Sequence, residues 1–139
     1  MLNEFSRGFA DRLFAAHPEW RKHVEVSTDA EVLAIEVPSP NALARTGLCI
    51  DTDADEVTVG FDQFHSHFFG RGDEEIYHDA LAFIDDILSE AVVVLVYHEG
   101  ERWVKSMCVD VNDPWPSPEP GETRVIRMWK GTLDAELAG

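Results

Sequence analysis

Residues 56–69, EVTVGFDQFHSHFF, join a strand-like alternation directly to a cluster of Asp, His and Phe side chains. Apolar side chains alternate with polar or small ones over residues 57–61, the period-two pattern of a strand with one buried face. From Phe61 onward, Phe and His recur at i, i+3, i+4 and i+7, the spacing of one helix face. The sequence therefore predicts a strand that ends near Asp62 and is followed by one or two helical turns.

The same stretch contains three candidate site residues, Asp62, His65 and His67. On a strand, His65 and His67 face the same way and can bind zinc, copper or nickel, with Asp62, His78 or His98 as a third ligand. On a helix the two rings lie about 200° apart and cannot share a metal. Asp62 beside either histidine can also form a general acid–base pair. Because the aromatic spacing favours helical turns, we expect these residues to contact a partner protein, without a metal or cofactor.

Composition limits the kinds of partner. A chain of 139 residues and 15.6 kDa predicts one domain, residues 1–139, with its own core. Its formal charge of −16 opposes binding to nucleic acids and anionic membranes, and would steer a basic protein towards it. Genome composition or a salty cytoplasm is the alternative explanation of this acidity. The sequence predicts no oligomeric state.

The chain begins without the features of a secretory signal, because MLNEFSRGFADRLF carries charges every few residues. The longest apolar run, residues 91–97, is too short to span a membrane. We therefore expect a cytoplasmic protein. Cys49 and Cys108 belong to no CxxC motif and are expected to be buried thiols, with a disulfide between neighbouring strands as the alternative.

Periodicity predicts the other elements. They are an N-terminal helix over residues 2–15, strands around Val24–Val26 and 33–37 joined near Ser27–Glu31, a hairpin of 48–50 with 56–61, a helix over 73–90, a hairpin of 92–97 with 102–109, and a final strand over 124–129. The acidic DTDAD connection at 51–55 lacks the glycine of a calcium loop and is predicted to be a solvated turn. Without a βαβ alternation, the order predicts an α+β fold. An antiparallel sheet of about five to seven strands would pack against the 73–90 helix.

The four tryptophans divide into two predicted groups. Trp103 and Trp129 lie on predicted strands and are expected in the core. Trp20 and Trp115 lie near prolines and are candidates for exposed contacts, and Trp115 falls within the loop DPWPSPEPG at residues 113–121. Since exposed tryptophans often anchor protein interfaces, Trp115 is a fourth candidate partner-binding residue.

The common readable catalytic motifs are absent from the sequence. It contains no phosphate-binding glycine loop, HExxH, GxSxG or zinc-spaced Cys/His array. Four segments resemble small acidic bacterial immunity proteins of polymorphic toxin systems: EVPSPN at 36–41, DEVTVGFDQFHSHF at 55–68, ALAFIDDIL at 80–88 and MWKGTLDAE at 128–136.

This resemblance implies a cytosolic module that covers a toxin domain and performs no chemistry. It transfers no specific functional residue. The alternative from the residues themselves is a small metal- or His-dependent enzyme centred on Asp62, His65 and His67.

Overall fold

A computed structural model describes residues 1–25 and 30–139 and confirms the α+β class. The helices are α1 (Glu4–Ala16) and α2 (Asp73–Leu88), with a 3-10 helix at Pro18–His23. The strands are β1 (Ala34–Val37), β2 (Leu48–Thr52), β3 (Val57–Phe61), β4 (Phe64–Phe68), β5 (Val92–Glu99), β6 (Arg102–Asp110), β7 (Thr123–Arg127) and β8 (Ala135–Ala138).

The strands form two antiparallel sheets of four, where the sequence predicted one sheet of about five to seven. The first sheet has the order β1-β2-β3-β4, and the second has the order β6-β5-β7-β8. In the second sheet β5 lies between β6 and β7 and is buried on both faces, as its apolar run VVVLVY predicts. Periodicity can identify a strand and its buried face, but it does not say which strand lies beside it, so the sequence did not predict the division into two sheets.

Backbone contacts divide the chain into two compact units. The first contains residues 1–38, 47–60 and 65–84, and the second contains 39–46, 61–64 and 85–139. Each unit is therefore assembled from segments that are separated in sequence.

The core of the first unit includes the apolar face of α1. Phe9 and Leu13 are fully buried, and the side chain of Asn3 caps the helix by accepting a hydrogen bond from the N–H of Ser6 at 2.8 Å. Trp20 was predicted to be an exposed contact, which is wrong. It is 6% exposed, because the 3-10 helix turns its ring inward to stack on His17 at a centroid distance of 3.8 Å.

The core of the second unit lies on one face of its sheet. Its buried members are Val93, Leu95, Tyr97, Ile126 and Met128. Trp129 is buried as predicted, although it follows the end of β7, and its ring packs on Phe61 at 5.5 Å. A further strand, β8, follows the strand predicted to be last. Its sequence AELA has low strand propensity, and it is held in the strand conformation by pairing with β7.

Three other predictions concern residues near the first sheet and the cysteines. Val26 and most of the turn predicted at Ser27–Glu31 lie outside the described residues, whereas Val24 forms an isolated bridge with Ile35. Both cysteines are free and half-buried.

Within residues 1–25 and 30–139, no helix is long and apolar enough to cross a membrane.

Candidate functional site

The segment after Asp62 is a strand, so the predicted helical turns are wrong. Asp62 adopts a left-handed φ of 54°, and the chain reverses at Asp62 and Gln63 so that β4 lies beside β3. Pairing with β3 satisfies backbone polar groups of β4. This stabilisation outweighs the preference for a helix that the spacing of the aromatic side chains indicates. In β4, half-buried residues alternate with exposed His65 and His67. β4 is also the last strand of its sheet and therefore an edge strand.

The strand brings His65 and His67 together on one exposed face. Their ring centroids are 5.0 Å apart and nearly perpendicular. Nδ1 of His67 also contacts the carboxylate of Glu56 and lies 3.0 Å from the hydroxyl oxygen of Thr58. His67 is thereby oriented by its neighbour strand. Within the described part of the chain, no three His, Cys, Asp or Glu side chains are grouped as possible metal ligands.

Phe69 extends this exposed face just beyond β4. Its side chain is 61% exposed, an unusual position for a large aromatic residue. A cavity of about 190 Å³ lies beside it, lined by His67, Phe68, Phe69, Arg71, Ile76 and Asp79. Arg71 and Asp79 form an ion pair at 3.4 Å within this lining. We call the face formed by His65, His67 and Phe69 the β4 edge. The sequence pattern indicates the two histidines but not Phe69, whose only signal is its place directly after β4.

Asp62 belongs to the second unit, where it organises a loop. Its Oδ1 accepts a hydrogen bond from the backbone N–H of Arg45 at 2.7 Å, and its carbonyl accepts one from the Thr46 hydroxyl at 3.3 Å. It also lines a cavity of about 540 Å³, which we call the polar cleft. The full lining is Arg45, Asp62, Gln63, His98, Gly100, Glu101, Thr123, Val125, Arg127 and Glu136. Of the other two candidate ligands, His98 lines this cleft, and His78 is exposed on α2 of the first unit.

Trp115 is half-buried, and its ring packs against the apolar core of the second unit. The guanidinium of Arg124 lies 5.9 Å from the ring centroid and donates to the carbonyl of Pro116 at 3.0 Å. The Tyr97 hydroxyl donates to the same carbonyl at 2.5 Å, which fixes the Pro-rich loop on the sheet. Trp115 thus supports its own loop, and its part in binding a partner stays a prediction.

Trp103 is the exposed tryptophan, contrary to the prediction that it lies in the core. It is 51% exposed, and its Nε1 donates to the Ser106 hydroxyl at 2.7 Å. β6 is an edge strand, and a register shift between Tyr97 and His98 pairs Trp103 with His98. Such an irregularity re-aims a side chain in a way that the alternation of the sequence does not reveal.

The structure therefore offers two candidate surfaces, the β4 edge in the first unit and the polar cleft in the second. Both are built on strands and turns, which hold their side chains in defined positions. No protein-family model, curated protein or solved structure matches this chain.

Proposed function

We propose that this chain is a cytoplasmic protein-binding module, an immunity-type inhibitor that covers a basic toxin domain. The observation that carries this proposal is the β4 edge, an edge strand that presents His65 and His67 on one side and ends at exposed Phe69. Edge strands can accept an extended segment of another protein as an additional strand. In that mode, backbone hydrogen bonds supply affinity and side-chain pockets supply specificity.

Charge supports a basic partner for this surface. The first unit carries 15 Asp and Glu residues against five Lys and Arg, which gives −10 of the total formal charge of −16. Asp73, Glu74 and Glu75 are exposed in the first turn of α2, a few residues beyond Phe69. The resulting field would accelerate association with a basic domain and would be screened by salt.

Phe69 gives the β4 edge an aromatic anchor. A large exposed apolar side chain loses its contact with water when a partner covers it, and a few such residues usually dominate the binding energy. The cavity of about 190 Å³ beside Phe69 can accept a side chain from the same partner. We therefore assign recognition to Phe69 and the strand backbone, and association rate to the surrounding carboxylates.

The first experiment isolates the partner and then measures the interaction with purified components. The chain would be used to capture proteins from a lysate of its native host, and candidates would be identified by mass spectrometry. The proposal requires a basic partner whose activity is inhibited. The association rate should fall about tenfold or more between 50 and 500 mM salt, because steering by charge is screened. A neutral partner that binds at a salt-independent rate would contradict the proposal.

Matched variants locate the contact. Phe69→Ala should weaken binding by about 30-fold, the effect of losing roughly 2 kcal/mol at an interface anchor. Leu43→Ala is the control, because Leu43 is similarly exposed at 63% but lies in the second unit. Amide hydrogen exchange over residues 64–68 should slow in the complex if the partner pairs with β4. Equal binding by both variants, with unchanged exchange over β4, would show that another surface is used.

A further inference from the structure

The polar cleft is built on one face of the second sheet. Thr123, Val125 and Arg127 alternate along β7 and form its floor, while His98 of β5 is paired in register with Thr123. On the other side of β7, Glu136 of β8 is paired with Val125. The β3–β4 turn, the β5–β6 turn and Arg45 supply the walls. Since directly paired residues point to the same face, these side chains converge by strand register.

The charges of the cleft are unequally compensated. Arg127 is neutralised within the protein, because its guanidinium lies 3.6 Å from Asp134 and both side chains are largely buried. The side-chain carboxylates of Glu101 and Glu136 form neither a hydrogen bond nor an ion pair with any described residue, and the guanidinium of Arg45 likewise has no such partner. Asp62 uses one carboxylate oxygen to hold the Arg45 N–H. Three carboxylates therefore face a single unpaired guanidinium, which leaves the cleft with an excess of negative charge.

His98 adds a buried polar group that faces the cleft. The residue is only 8% exposed, and its Nε2 lies 3.2 Å from Oε1 of Gln63. Because a carboxamide oxygen can only accept, Nε2 donates this hydrogen bond, and in the neutral imidazole Nδ1 is then an acceptor. Nδ1 has no hydrogen-bond partner among the residues that the structure describes. The cleft thus combines an imidazole nitrogen that makes no hydrogen bond to a described residue with unpaired carboxylates, which suits a ligand that carries N–H donors.

Trp103 completes this surface on the side of β6. It is the register partner of His98 and shares its face of the sheet. Its hydrogen bond to Ser106 orients an indole ring that is half exposed. Guanidinium and ammonium groups are attracted to the faces of tryptophan rings, and guanidinium also stacks on them.

We propose that the polar cleft receives an arginine or lysine side chain of the basic partner, held by Glu101, Glu136 and His98 and flanked by Trp103. This inference deepens the proposed function and rests on its basic partner. A volume of about 540 Å³ accommodates one long side chain together with its backbone. Arginine fits best, because its planar fork of donors matches carboxylate acceptors.

The inference can be tested without the partner, using N-acetyl-L-arginine methylamide as the probe. Its titration into the native chain, followed by amide NMR shifts, should give saturable changes centred on His98–Glu101, Thr123 and Glu136. The citrulline analogue has nearly the same shape without the charge and should produce no saturable change. Equal responses to the two probes, or shifts spread over all acidic segments without saturation, would overturn the inference.

Charge-removing variants make the test specific. Glu101→Gln and Glu136→Gln should each weaken probe binding about two- to fivefold, and the double variant about tenfold or more. Asp11→Asn, which makes the same charge change at an exposed position on α1 of the first unit, should leave binding unchanged. An equal loss with Asp11→Asn would show that only net charge matters and would refute a defined site. A partner captured through Phe69, with a cleft that ignores the arginine probe, would overturn only this inference. If the arginine probe binds saturably but no basic partner is captured, that result would instead count against the proposed function.

Discussion

Gly8 and Tyr77 provide a test of how α1 packs against α2 within the first unit. A Cβ atom added at Gly8 would lie 2.6 Å from the Tyr77 hydroxyl oxygen and 3.1 Å from the ring carbon that carries it. That hydroxyl is held in place, because it donates to the carbonyl of Phe5 at 2.7 Å and Tyr77 is 4% exposed. Gly8→Ala is therefore expected to destabilise the protein, although alanine is the better helix former.

The expected magnitude is the balance of two effects. Replacing glycine by alanine inside a helix stabilises it by about 1 kcal/mol, whereas overpacking a closed contact costs about 1 to 3 kcal/mol. We expect a net loss of about 1 kcal/mol for Gly8→Ala. Tyr77→Phe removes one buried hydrogen bond and should also cost about 1 kcal/mol. In the double variant the closest atom is gone, so its loss should be smaller than the sum of the two by about 1 kcal/mol.

Urea unfolding, followed by far-UV circular dichroism and tryptophan fluorescence, measures all three free energies of unfolding. The m-values should stay constant while the midpoints shift. Gly72→Ala is the control for crowding, because its Cβ would meet only a side-chain oxygen of Glu75 at 3.7 Å. The Gly72 carbonyl accepts the first hydrogen bond of α2 from the Ile76 N–H, so alanine there should cost only the helix N-cap preference, about 0.5 kcal/mol. If Gly8→Ala stabilises the protein, or if its effect is the same with and without the Tyr77 hydroxyl, the described helix contact is incorrect.

The remaining predictions concern the α2 core, a thiol and metal content. Ile87→Ala should lower the free energy of unfolding by about 2 to 5 kcal/mol, because Ile87 is 3% exposed. Phe83→Ala should lower it less, because Phe83 is only half-buried. Urea unfolding that shows no loss of stability for Ile87→Ala would contradict this prediction. Burial raises the pKa of the Cys108 thiol to about 12. At pH 8 its alkylation should therefore be on the order of 10³-fold slower in the folded protein than in the urea-unfolded chain. Rapid labelling of the folded protein would refute this burial. Metal analysis of untagged protein should find no stoichiometric metal; about one zinc per chain that disappears in the His65→Ala/His67→Ala variant would favour the enzyme alternative.

The sequence by itself determined those helices and strands whose type and burial follow from the pattern of neighbouring side chains. The apolar stripe of α2 and the apolar run VVVLVY of β5 predict both the type of element and its burial, because side-chain periodicity follows directly from helix and strand geometry. The hairpins of β2 with β3 and of β5 with β6 were predicted from alternating runs separated by short polar turns. The neighbourhood of His65 and His67 was also found in this way, as a dense group of functional residue types beside a strand end.

The tertiary structure decided what depends on contacts between distant segments. Strand pairing divided the strands into two sheets and converted the stretch after Asp62 from predicted helix into an edge strand. A register shift beside His98 and the edge position of β6 exposed Trp103, while the short helix after α1 buried Trp20. The polar cleft likewise combines residues from five separate parts of the chain. Local periodicity records which face of an element is apolar, but the partner that covers this face is chosen by packing and hydrogen bonding over the whole chain.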